Sequence, residues 1–104
     1  MSKTAQAQTN FIAKFNAEAA SGLDLIYHFN VPDDKDFYLQ IKNSACTVVE
    51  TAPKESTTTF VADSDTLYAM STGELDGMQA FMSGKLRIEG DMMMALKIGE
   101  LFES

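Results

Sequence analysis

Residues 73–98 read GELDGMQAFMSGKLRIEGDMMMALKI, and three physical signals follow one another within them. Asp76 has the short acceptor side chain that caps a helix, and Gln79, three residues on, completes a capping box. The helix so started carries Met78, Ala80, Phe81 and Met82, and Gly84 suits the left-handed position just past its end. Lys85-Leu86-Arg87-Ile88-Glu89 then alternates charged and apolar residues, the period of a strand with one buried face. Gly90 turns the chain and Asp91 can cap a last helix. In that helix Met92, Met93, Met94, Ala95, Leu96, Ile98, Leu101 and Phe102 leave only Lys97, Gly99 and Glu100 for a wet side. A surface helix needs an apolar stripe of only ~100°, so this one is either sandwiched between the core and a partner chain or forms the wall of a cavity. Met82, Met92, Met93 and Met94 sharpen the choice without settling it. Methionine fills irregular core gaps and also adapts to variable apolar shapes, and composition alone favours core filling.

Outward from this stretch, Asp63-Ser64-Asp65 can cap a helix through Leu67, Tyr68 and Met70 to Gly73. Before it, Ser56–Ala62 is rich in β-branched residues and reads as a strand, the fourth in the chain. Ala52-Pro53-Lys54-Glu55 reads as a turn, and Ala45–Thr51 as the third strand, through Cys46, Val48 and Val49. Asn43-Ser44 is a tight hairpin connection to Phe37–Lys42, where Phe37, Leu39 and Ile41 point inward. Pro32–Asp36 turns, and Leu23–Val31 alternates, with Leu25, Tyr27, Phe29 and Val31 on one face and Asp24, Ile26, His28 and Asn30 on the other. A helix is expected from Thr9 to Ser21-Gly22, with Phe11, Ile12, Phe15 and Ala19 on one face, after a polar, frayed Met1–Gln8. The pattern predicts one domain over residues 9–104, of α+β class: a helix, four strands in a meander, two helices, a fifth strand and a last helix. The helices are expected on one face of a mainly antiparallel sheet.

With 104 residues, 45% of them apolar, the chain can close one modest core. A net charge of −7 offers no basic stripe to phosphates and excludes nucleic acid as a partner. The same charge opposes docking on anionic membranes, and no apolar run is long enough for stable membrane insertion. Cys46 stands alone, which points to a reducing compartment. The start lacks a secretory pattern and Phe102-Glu103-Ser104 is no peroxisomal address, so the cytoplasm is the expected location.

Motifs for catalysis are missing. His28 is the single histidine, and beside Cys46 it is a weak candidate for a nucleophile–base pair. One histidine and one cysteine are too few for zinc. Asp63 and Asp65 begin like a calcium loop, but Leu67 stands where a third oxygen ligand is needed, and helix capping explains the aspartates better. The glycines form no phosphate loop. The chain reads as a non-enzyme with no cofactor.

The run Phe81-Met82-Ser83-Gly84-Lys85-Leu86-Arg87-Ile88-Glu89-Gly90-Asp91, together with Gly73, Ala80, Ala95, Lys97 and Leu101, resembles the C-terminal half of the sterol carrier protein 2 (SCP2) domain family. Phe37-Tyr38-Leu39-Gln40-Ile41-Lys42 resembles one of that family's strands, and Asp63–Leu67 its strand-to-helix junction, so the likeness spans residues 10–102. The resemblance implies a five-stranded sheet covered by helices, with an apolar tunnel between the layers. It implies a carrier of fatty acid, fatty acyl-CoA, sterol or similar lipid that does no chemistry itself. It also implies that the last helix borders the tunnel, which moves the methionines from core to lining. The ligand contacts expected on this basis are Phe81, Met82, Met93, Met94, Ile98, Leu101 and Phe102, with Phe11 and Phe15 from the first helix. The alternative role is an accessory subunit presenting an apolar substrate, a quinone precursor or a steroid, to a partner enzyme, or a homodimer through the last helix.

Overall fold

The structure is a computed structural model, and it describes residues 2–49, 53 and 55–102. Two stretches of strict alternation build its centre. β1 (Leu25–Asn30) and β2 (Phe37–Lys42) pair antiparallel, with Phe29 opposite Phe37, Tyr27 opposite Leu39 and Leu25 opposite Ile41. All six of these side chains are buried on one face, as the alternation predicts. Asn43 and Ser44 turn the chain with φ of 54° and 58°, the paired left-handed geometry of a two-residue hairpin, into β3 (Ala45–Val49).

The fourth strand departs from the expected meander. β4 (Thr58–Val61) does not continue past β3. It crosses to the other edge of β1 and pairs with it in parallel, Phe60 beside Phe29 and Thr58 beside Tyr27. β5 (Arg87–Gly90) then adds antiparallel to β4, so the order is β3-β2-β1-β4-β5 and the sheet is mixed. Burial explains the choice. β1, β2 and β4 all bury alternate residues, Leu25, Tyr27 and Phe29 in β1, Phe37, Leu39 and Ile41 in β2 and Thr58 and Phe60 in β4, and these three hold the inner places. β3 (ACTVV) and β5 (RIEG), with no fully buried residue between them, occupy the edges. Glu50, Thr51, Ala52 and Lys54, in the expected end of β3 and the turn after it, lie outside the described residues.

Helices cover the inner face. α1 (Lys3–Ala13) begins six residues earlier than expected, where Ser2 caps it by accepting from the Ala5 N–H at 3.0 Å. The reading of Met1–Gln8 as frayed and of a helix running on to Ser21 is therefore corrected. The buried stripe of α1 is Thr4, Ala7 and Phe11, and two of those residues do not look apolar enough to announce a helix. The helix ends because Asn16 folds its side chain onto the Glu18 and Ala19 N–H groups, making a turn that competes with helix. Asn10 donates to Ser71 (3.1 Å) and holds α1 against α2 (Ser64–Thr72), which Asp63 caps and left-handed Gly73 ends, as expected. α3 (Gly77–Met82) starts at Asp76.

The last helix is two. α4 (Met92–Leu96), capped by Asp91, stops at Lys97, and α5 (Ile98–Leu101) follows. In one straight helix Ala95 and Leu101, six residues apart, would point about 120° apart. Both are buried in the core, one on either side of the break. Beneath the helices Phe29 is the hub, stacking on Phe37 (4.7 Å), Phe60 (5.3 Å) and Phe11 (5.7 Å).

Candidate apolar ligand site

Two concavities adjoin on the helical side of the molecule, one against the sheet and one among the helices. The smaller, ≈170 Å³, is floored by Phe60, Leu86 and Ile88 of the sheet side and walled by Met78 and Phe81 of α3 and by Met92, Ala95 and Leu96 of α4. The larger, ≈490 Å³, lies between the end of α1, the α2–α3 connection and α5. Phe11, Met70, Leu75 and Phe102 line it with two charged residues, Lys14 and Asp76. Four residues line both cavities: Asp76, Gly77, Ile98 and Gly99. The two spaces therefore adjoin along these residues, at the start of α3 and the start of α5.

Local physics positions these walls. Asp76 accepts from the Met78 N–H (3.0 Å), so it caps α3 while edging both cavities. α4 is tied to the sheet by Tyr27, whose hydroxyl donates to the Met94 carbonyl at 2.6 Å. Burial, with Asp91 adding to it, pushes the Tyr27 phenol well above its ordinary pKa, so it remains a donor. The far end of α5 is anchored where Phe15 and Phe102 form a β-bridge and the Asn16 N–H donates to the Leu101 carbonyl (2.7 Å).

The structure distributes the nine residues singled out from the sequence unevenly. Phe81 and Ile98 line the smaller cavity, and Phe11, Ile98 and Phe102 the larger. Met94, Leu101 and Phe15 line neither of the two; Leu101 is core, and Phe15 packs its ring on Phe102 at 5.8 Å. Met82 and Met93 are 79% and 71% exposed. The methionines that line the smaller cavity are Met78 and Met92, and Met70 lines the larger. Sequence reasoning missed these three together with Leu75, Leu86, Ile88 and Leu96. The alternation at Leu86 and Ile88 was the available signal for the floor.

The chemistry candidates come apart. His28 pairs with Asp36 (2.9 Å) and stacks on Tyr38 (4.5 Å). It shares a face with Ile26 and Asn30, whereas Cys46 stands opposite Ile41 on the inner face, so the sheet separates the two. Burial pushes the Cys46 thiol up to about 11, which leaves it protonated and a poor nucleophile at neutral pH. Asp63 caps α2 through Thr66 and Asp65 pairs with Lys3 (2.6 Å). Among the described residues no three histidine, cysteine or acidic side chains converge as a metal site, and no helix is long and apolar enough to cross a membrane.

A helix-covered mixed sheet with an apolar hollow between its layers defines the class. The chain belongs to the SCP-2 sterol transfer family, whose profile matches residues 5–103. It is 34% identical over 89 residues to hydroxysteroid dehydrogenase-like protein 2 of Xenopus tropicalis, covering 83% of this chain and 21% of that one. The chain thus spans about a fifth of the length of that curated relative. The palmitated SCP2L2 of Aedes aegypti superposes with a TM-score of 0.75 at 18% identity, covering 100% of this chain and 96% of the other. The stereoselective inverting sec-alkylsulfatase Pisa1 of Pseudomonas sp. contains the same fold (TM-score 0.78, 20% identity), matched over 90% of this chain and 15% of the enzyme.

Proposed function

We propose that this domain binds a lipid, holding one flexible apolar chain of the fatty acyl type in the hollow under α3, α4 and α5, and that it carries out no chemistry. The observation that supports this most is that a carbon-walled cavity on the sheet and a larger, more polar one share a border at Ile98, which suits a ligand with an apolar tail and a polar end. The larger cavity falls within the roughly 300–1,000 Å³ range of ligand pockets. That an Aedes relative of the same fold is described as palmitated accords with it. Of the residues singled out from the sequence, Phe81, Ile98, Phe11 and Phe102 are the proposed contacts. Each methylene withdrawn from water contributes ~0.8 kcal/mol, about fourfold in affinity, and walls carrying Met70, Met78 and Met92 favour tolerance over tight selection. The lone, protonated Cys46 suits a reducing compartment such as the cytoplasm.

The test is native mass spectrometry of the purified protein before and after organic extraction, followed by titration with a fluorescent fatty acid. An extractable lipid, and uptake that Ile98→Asp weakens about tenfold or more by placing a carboxylate in the shared wall, are expected. A protein that carries no lipid and takes none up would overturn the reading.

A second reading has its own support. The relatives named above include chains in which the matched region is 21% or 15% of a larger protein named as a dehydrogenase-like protein or a sulfatase. In this reading the domain presents an apolar substrate to a partner enzyme, and exposed Met82, Met93 and Leu96 beside the smaller cavity form the docking surface. Elution with an enzyme, or as a homodimer, favours it. A lipid-loaded monomer favours the carrier.

A further inference from the structure

Gly77 and Gly99 stand where the two cavities meet, and neither is required by its backbone. Gly77 is the first residue of α3 and Gly99 the second of α5, positions that any L residue can take. Neither has the left-handed φ that Gly73, Gly84 and Gly90 adopt. Packing does not demand them either. A Cβ at Gly99 would meet nothing within 4 Å, and one at Gly77 would touch only the terminal methyl of Met70, at 3.6 Å. What the two glycines do share is position: both line the larger and the smaller cavity. At both positions the border between the two spaces carries no side chain.

We propose that Gly77 and Gly99 form the waist of a single threaded site, and that side-chain bulk at these positions sets the length of apolar chain the domain accepts. The proposal rests on the reading above that the hollow holds a lipid chain. Its direction follows from the walls. Lys14 lies on the larger cavity alone, and Asp76 at its junction with the smaller, whose remaining lining is carbon-rich. The polar end of the ligand therefore stays in the larger space, and the tail passes the waist to lie on Phe60, Leu86 and Ile88. A short chain is satisfied by one cavity. A long chain needs both.

The experiment compares octanoate, laurate and palmitate by displacement of a fluorescent fatty acid from the wild type, Gly99→Phe and Gly77→Leu. A Cβ at Gly99 meets nothing within 4 Å and one at Gly77 only the Met70 methyl, so neither variant begins with a backbone clash, and a folding defect in one leaves the other to decide. Thermal melts establish that each variant is folded. In the wild type affinity is expected to climb from octanoate to palmitate. In both variants palmitate is expected to lose about tenfold or more while octanoate changes less than about twofold, which removes the gain of ~0.8 kcal/mol per methylene beyond the waist. Palmitate binding unchanged in the folded variants, or an equal loss for all three acids, would overturn the waist while leaving lipid binding standing. A wild type that binds none of the acids would overturn the lipid reading and the waist with it.

Discussion

Replacing Tyr27 with phenylalanine removes the hydrogen bond that ties the body of α4 to the sheet, while the Thr58 hydroxyl still donates to the carbonyl of its cap, Asp91, at 2.8 Å. The Tyr27 side chain is wholly buried, and its hydroxyl donates to the Met94 carbonyl at 2.6 Å. In Tyr27→Phe the ring remains, with its tilted contact to Phe60 (5.4 Å, 54°) intact, so packing is nearly unchanged and the hydroxyl alone is lost. The cost is the bond plus the desolvation of a carbonyl left without that donor, about 1–3 kcal/mol. At about 1.5 kcal/mol, a domain of ~100 residues loses roughly 6–12 °C in Tm. Circular dichroism melts and urea titration read the stability, and amide hydrogen exchange reads where the loosening occurs. Faster exchange is expected in α4 (Met92–Leu96), with the hub around Phe29 retaining its protection. Because Met92, Ala95 and Leu96 line the smaller cavity, lipid affinity should fall along with the helix's anchorage. A Tm within about 1 °C of wild type, or exchange accelerated evenly over the whole domain, would refute the assignment of Tyr27 as the tether of α4.

Two further outcomes follow from local geometry. Gly90 has φ of 92°, and a Cβ there would lie 2.8 Å from the Thr57 carbonyl oxygen, so Gly90→Ala combines a left-handed alanine with a backbone clash. A loss above about 2 kcal/mol is expected from the urea midpoint, and an unchanged midpoint would contradict it. The second outcome is alkaline lability. The Cys46 thiol is raised from 9.0 to about 11 by burial, so as pH passes 9 the unfolded chain releases this proton before the folded one does. Stability present below pH 9 is therefore lost as pH rises toward 11, and the raised Tyr27 phenol acts in the same direction. Cys46→Ala should show a shallower decline in urea midpoint between pH 8 and pH 11. An equal decline would remove the thiol from the account.

What the sequence by itself determined is the part governed by neighbours a few residues apart. Period-two alternation put Leu25, Tyr27, Phe29, Phe37, Leu39 and Ile41 on the buried face, and the structure agrees at every one. Asp63, Asp76 and Asp91 cap the three helices they were expected to cap, and Gly73 ends the first of these, because capping is a contact within one turn. The motif resemblance around Phe81–Asp91 led to the correct family, since such a run preserves the spacing of a whole strand and its two flanking turns.

Only the tertiary structure decided the rest. That β4 lies parallel beside β1 depends on which edge of the sheet gains most from being covered, a comparison among strands that none of them carries alone. α1 starts at Lys3 because Thr4 and Ala7 are buried against the body of the domain, and their burial leaves no apolar mark in the sequence. The methionines make the point most directly. Helices of four to six residues have too few turns to define a stripe, so the pattern could not tell Met78 and Met92, which line the hollow, from Met82 and Met93, which face solvent. The break at Lys97 sets that phase. Ala95 before it and Leu101 after it are both core, and Gly99 beyond it borders the same two cavities as Gly77.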